Sequence, residues 1–249
     1  MTETNSTVLK TAPRVPAWRD LILYVVIGGG GFIVASVIAG AVMHVETMTL
    51  PVSLVAYTLN IVFFAGSVLV VGVARGKLSL RAIGFFPPRL SAQWFGRAIV
   101  LSLALLPLRG VVGLLAQSVS GDLNGLQERM NLIAPASFTW FGFIATLLGA
   151  GILVPIAEEL FFRGALFTWF RTRYNFPLAL LASSALFALG HLDALGVVAS
   201  SFVLALANAW VFEKSKTLWA PIIMHITTNS FAVLLIYGAL AFAPQLLER

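Results

Sequence analysis

The 249-residue chain is 59% hydrophobic and only 10% charged, with a mean hydropathy of +0.94, against a charged share of about a quarter in soluble domains. Cysteine is absent, which excludes disulfides, iron–sulfur clusters, thiolate zinc sites and a cysteine nucleophile, and leaves the redox compartment open. The net charge of +6 comes from cations scattered between apolar runs rather than gathered on one face, so it reads as a topology signal and not as a nucleic-acid surface.

These features predict an all-α, polytopic membrane bundle of seven transmembrane helices, or eight if one of the long runs is split. Residues 1–20 form a polar tail carrying Lys10 and Arg14, and residues 21–249 a single membrane domain. No convincing small-residue cleavage site follows the first apolar run, so that run is expected to stay.

Leu21 to Met43 is 23 residues without a charge, long enough to cross with some tilt. Its run from Gly28 to Gly31 lacks the strand and polar helix start of a phosphate loop, and close helix packing is the better reading. His44 and Glu46 follow in a short loop. Pro51 to Ala74 is the second span, and after it come Arg75, Lys77, Arg81, Arg89 and Arg97, the strongest cytoplasmic marker in the chain. The apolar residues among these cations, Leu80, Ile83, Phe85 and Phe86, suit an amphipathic segment on an anionic surface, limited by Pro87-Pro88.

Ala98 to Val119 is the third span and carries Arg109 just after Pro107, either facing a polar interior or satisfied by backbone. A turn-rich stretch, Ser120 to Ser137, separates it from a 33-residue apolar run, Phe138 to Phe170. That run exceeds one untilted crossing of a core about 30 Å thick, and Gly149, Gly151 and Pro155 are placed to bend it. Phe176 to Leu192, Gly196 to Phe212 and Leu218 to Phe242 complete the seven. Seven crossings put the N-terminus inside. Twelve cations then fall on the cytoplasmic side, and only Arg129 and Arg249 outside.

The fourth run holds Glu158, Glu159 and Arg163 within six residues, each costing about 2.5 to 3.5 kcal/mol at bilayer depth on insertion scales. On a helix Glu159 and Arg163 stand at i and i+4 with the acid first, the favourable order for pairing. Glu158 is turned about 100° away and is left to accept a proton or bind a metal. A buried ion pair beside a protonated acid is the structural alternative. Two further polar pairs at the same spacing lie in apolar runs: Phe187 with His191, and His225 with Asn229. In an antiparallel hairpin turning near Tyr174, Glu158 and His191 reach nearly the same height. His225 joins them only if its helix starts roughly 10 Å deeper.

The E-E-x-x-x-R of Glu158, Glu159 and Arg163, the F-x-x-x-H of Phe187 and His191 and the H-x-x-x-N of His225 and Asn229 resemble, together and in order, the motifs of the CPBP intramembrane proteases. That family includes the Rce-type CAAX prenyl endopeptidases and bacteriocin-processing and immunity proteins. The resemblance implies an intramembrane endopeptidase with a catalytic core at about 138–231. In it Glu158 and His191 activate a water, His225 and Asn229 stabilise the oxyanion, and Glu159, Arg163 and Phe187 support the site. It implies a peptide or protein substrate, membrane-associated or prenylated, and no nucleic acid. The family has been described as glutamate-dependent and as metal-dependent. Glu158, His191 and His225 would also make a zinc set, but Asn229 beside His225 suits an oxyanion site better, so no cofactor is favoured. A non-catalytic membrane scaffold or immunity protein, and a proton-coupled transporter, are the alternatives of other classes.

Overall fold

The computed structural model describes residues 16–45, 49–121, 137–192 and 194–243. Among them are seven helices and no strand: α1 (Trp18–Val42), α2 (Leu50–Val73), α3 (Ala92–Ser120), α4 (Trp140–Arg171), α5 (Phe176–Leu189), α6 (Leu195–Ser215) and α7 (Trp219–Phe242). Six are long and apolar enough to cross a membrane. The fourth run stays one continuous helix, which leaves no eighth crossing among the described residues. The expected turn-rich stretch after Ser120, with Arg129, lies almost wholly outside the described residues, as do Lys10, Arg14, Glu46 and Arg249.

Local chemistry sets the helix ends. Ser91, Thr139 and Asn175 each accept the backbone N–H three residues on, from Trp94, Gly142 and Leu178, capping α3, α4 and α5. Gly121, with φ of 72°, closes α3 in the left-handed conformation. The boundary between tail and membrane domain shifts slightly, because α1 begins at Trp18 and its buried Asp20 pairs with Arg75 at 3.0 Å.

The bundle is apolar outside as well as inside. Val34, Val37, Val100, Val111, Leu114 and Leu235 are all more than half exposed, a surface that only hydrocarbon accommodates. The core is built on α4, where every residue from Leu160 to Phe167 is buried. Phe64 of α2 stacks on Phe161 at 4.7 Å, and Phe162 meets Phe187 of α5 edge-on at 5.0 Å. The first glycine of the α1 run packs as expected: a Cβ on Gly28 would lie 2.4 Å from the Phe161 ring. Around Pro155, α4 winds in wide π-type turns at Leu147–Leu153 and Leu160–Phe167, on either side of an α-helical Val154–Glu159. Such wide turns occur frequently at functional sites.

Two expectations need correction. The fifth span stops early: α5 has 14 residues and rises only about 21 Å, because Gly190 ends it and the chain turns. The stretch after α2, expected as an amphipathic segment on an anionic surface, turns most of its apolar residues inward instead. It folds as a turn whose Leu78 and Ile83 enter the core, while Arg81 and Arg89 stay exposed. Gly84, at φ of 68°, sits where a Cβ would come within 2.8 Å of the Thr217 Cα. Three hydrogen bonds tie this turn to the start of α7: Leu218 N to Ile83 O, Thr217 Oγ1 to Gly84 O and Trp219 Nε1 to Phe85 O. Thr217, Leu218 and Ala220 are consequently buried. An α7 that starts inside the bundle carries His225 to the depth that chain counting from an exposed turn could not supply.

Candidate active site

The two adjacent glutamates lead different lives. Glu159 is fully buried, and its Oε1 accepts from Arg163 at 3.0 Å, Asn208 of α6 at 2.8 Å and His225 Nδ1 of α7 at 2.9 Å. One carboxylate oxygen thus ties three helices together. Arg163 spends a second N–H on the Ala205 carbonyl at 3.0 Å and lies 4.7 Å from the Phe187 ring centre, a cation–π contact. The i,i+4 pairing expected of Glu159 and Arg163 is present and buried on both sides.

Glu158, one residue earlier, points elsewhere. Its Oε1 accepts from Asn60 Nδ2 of α2 at 3.0 Å, and its Oε2 stands 3.7 Å from His225 Nε2, too far for a direct hydrogen bond. It lines a cavity of about 660 Å³ between α1, α2, α4 and α5, with Gly29, Gly30, Phe162, Leu186 and His191. This carboxylate is the one in reach of a guest molecule.

His191 does not share a helical face with Phe187 as the spacing suggested, since it lies past the end of α5. The two nevertheless meet. His191 Nδ1 is 2.9 Å from the Phe187 carbonyl and the rings are 4.8 Å apart. A carbonyl only accepts, so Nδ1 is a protonated nitrogen in this contact. His191 also lines a second cavity of about 490 Å³, with His225, Asn229 and Arg109. It stands where the two hollows adjoin. Asn229 donates one amide N–H to Ala150 O at 3.2 Å, which leaves the amide a second donor.

The alternative zinc set is not assembled. Among the described residues no three His, Asp or Glu side chains gather closely enough to hold a metal ion, and His225 presents one ring nitrogen to each glutamate.

Asn60 and Asn208, which fix the two glutamates, went unread in the sequence. Each is an uncharged polar residue inside an apolar run, and that was the available signal. Ser102 of α3 and Thr228 of α7, 2.8 Å apart, were likewise unread. They join the helices that flank the second cavity.

With this geometry in place, residues 140–231 match the family described as Type II CAAX prenyl endopeptidase Rce1-like. This segment is similar to that family. The Bacillus subtilis (strain 168) protein "Putative membrane peptidase YdiL" is 29% identical over 89 residues, 36% of this chain and 36% of that one. The "UPF0177 protein YxdF" of Lactococcus lactis subsp. lactis (strain IL1403) is 35% identical over 81 residues, 32% of this chain and 44% of its own. The chain therefore spans between a third and a half of the curated relatives it matches. No solved structure gives a significant match. The matched segment comprises α4 to the middle of α7 and contains both glutamates, His191, His225 and Asn229, while Asn60 and Arg109 lie outside it.

Proposed function

We propose that the chain is an intramembrane endopeptidase, similar to the CAAX prenyl endopeptidases, that hydrolyses a peptide bond of a membrane-associated peptide without a metal ion. The observation that carries this reading is the division of labour between neighbours. Glu159 takes three donors on Oε1 inside the bundle, while Glu158 faces a cavity it shares with His191.

A water held between Glu158 and His191 gives a proton to this pair as its oxygen attacks the scissile carbonyl carbon. The carbonyl π pair moves onto oxygen, and that oxyanion is met by the remaining amide N–H of Asn229 and, with both ring nitrogens of His225 protonated, by its Nε2–H. Collapse of the tetrahedral intermediate breaks the C–N bond, and the proton taken from the water passes to the departing amine. Glu159 holds His225 through Nδ1, so that Nε2 is presented on the Glu158 side. The apolar walls of the larger cavity suit a peptide carrying a bulky apolar or prenyl group close to the cut. The cation-rich turn after α2 sits at the cytoplasmic end in this reading, which puts the N-terminus inside.

The test uses the purified protein in lipid nanodiscs with a panel of quenched, lipid-anchored peptides. Replacing Glu158 by glutamine keeps the shape and the Asn60 contact but removes the base. Cleavage is expected to fall about 10²- to 10⁴-fold, with unchanged thermal unfolding. Full cleavage by Glu158→Gln overturns the assignment.

A further inference from the structure

The second cavity contains a charge that the reaction above does not use. Arg109 lies in the middle of α3, a helix outside the segment matched by the family, and shares that hollow with His191, His225 and Asn229. Its Nε donates to the Ser200 carbonyl at 3.2 Å. Among the described residues no carboxylate pairs with it, whereas Arg75, Arg163 and Arg171 each have an acid at 3.0 Å.

The close packing of α3 on α6 lies beside this cation. One turn on from Arg109, Gly113 meets Gly196 of α6 so closely that a Cβ on Gly196 would lie 2.5 Å from the Gly113 oxygen. Both glycines line the same hollow. At about 490 Å³ it falls within the range of roughly 300 to 1,000 Å³ usual for ligand sites. A guanidinium there, tied down by one bond to a backbone carbonyl, presents the rest of its planar fork of donors, which matches a carboxylate in two-point geometry. A cation held at a cavity between apolar helices, with no acid beside it among the described residues, is a feature that function explains and stability does not.

We propose that Arg109 is a specificity-determining residue: it pairs with a carboxylate of the bound peptide, on the side of the scissile bond that occupies the second cavity. The assignment rests on the peptidase reading for its role in cleavage, but the carboxylate contact is a binding event that is measured separately. Two sources share this chemistry, the free C-terminus of the peptide and an acidic side chain near it.

The experiment measures equilibrium binding of dye-labelled, N-palmitoylated decapeptides of apolar sequence to the full chain in nanodiscs, in the Glu158→Gln background so that no peptide is consumed. Three forms are compared: a free C-terminal acid, a C-terminal amide, and an amide carrying one Asp two residues from its end. A hydrogen bond to a charged group corresponds to about 10- to 100-fold in affinity, so the acid is expected to bind that much more tightly than the amide. Recovery of affinity in the Asp-bearing amide assigns the anion to a side chain. Its absence assigns it to the C-terminus, and either supports the contact. Arg109→Gln is expected to bring the acid down to the amide's affinity, and Arg109→Lys to recover part of the difference. Should Arg109→Gln fail to fold, the acid and amide comparison on Arg109-containing protein still decides. Equal affinity of all three peptides, or a preference for the acid that survives Arg109→Gln, overturns the proposal. The peptidase reading fails on a different result, cleavage by Glu158→Gln.

Discussion

Removing the Arg163 cation is the perturbation that the buried hub responds to most strongly. Arg163→Met keeps the apolar stem but withdraws the guanidinium bonded to Glu159, which is fully buried and retains Asn208 and His225 among the described residues. Breaking one partner out of a buried pair costs about 3 to 5 kcal/mol because the remaining charge is stranded. Glu159→Gln strands the arginine and should cost a similar amount. In the double variant no charge is stranded, and the loss reduces to a few weakened hydrogen bonds at about 1 kcal/mol each. Additive behaviour would give about 6 to 10 kcal/mol, against a whole-domain stability of about 5 to 15 kcal/mol. The hub predicts about 2 to 4 kcal/mol for the double variant. Reversible unfolding in mixed micelles, followed by tryptophan fluorescence on all four proteins, completes the cycle. A double variant as unstable as the sum of the singles refutes the coupling.

Asn60→Leu removes the donor that holds Glu158 Oε1 at 3.0 Å. It should lower kcat about 10- to 100-fold, read from peptide cleavage, while leaving the unfolding midpoint within a few degrees. Gly84→Ala forces a side chain into a left-handed backbone and against Thr217. The strain should cost at least about 1 to 2 kcal/mol and loosen the start of α7, visible as faster hydrogen exchange at residues 217–222.

Much of the bundle was legible because hydrocarbon is an unforgiving solvent. Apolar runs bounded by cations or turn residues fixed six spans to within a few residues at most ends, and i,i+4 spacing was enough to pair Glu159 with Arg163. The failures share a physical cause. His191 was assigned to a helix because the run from Phe176 to Leu192 is apolar around it, although Gly190 is the residue type that ends helices. The turn after α2 read as a surface segment because its cations are exposed, yet Leu78 and Ile83 bury themselves and carry α7 inward. His225 reached the glutamates by that tertiary contact, which no count along the chain contains. Asn60 and Asn208 were overlooked because neither is charged, although each spends its amide on a buried carboxylate.

The most direct measurement is the rate at which wild-type protein and Glu158→Gln cleave one accepted lipid-anchored peptide in nanodiscs, with Glu159→Gln unfolding monitored as the contrast. The account predicts a folded, inactive Glu158→Gln and a Glu159→Gln whose first deficit is stability. Wild-type turnover in the Glu158→Gln protein would contradict it.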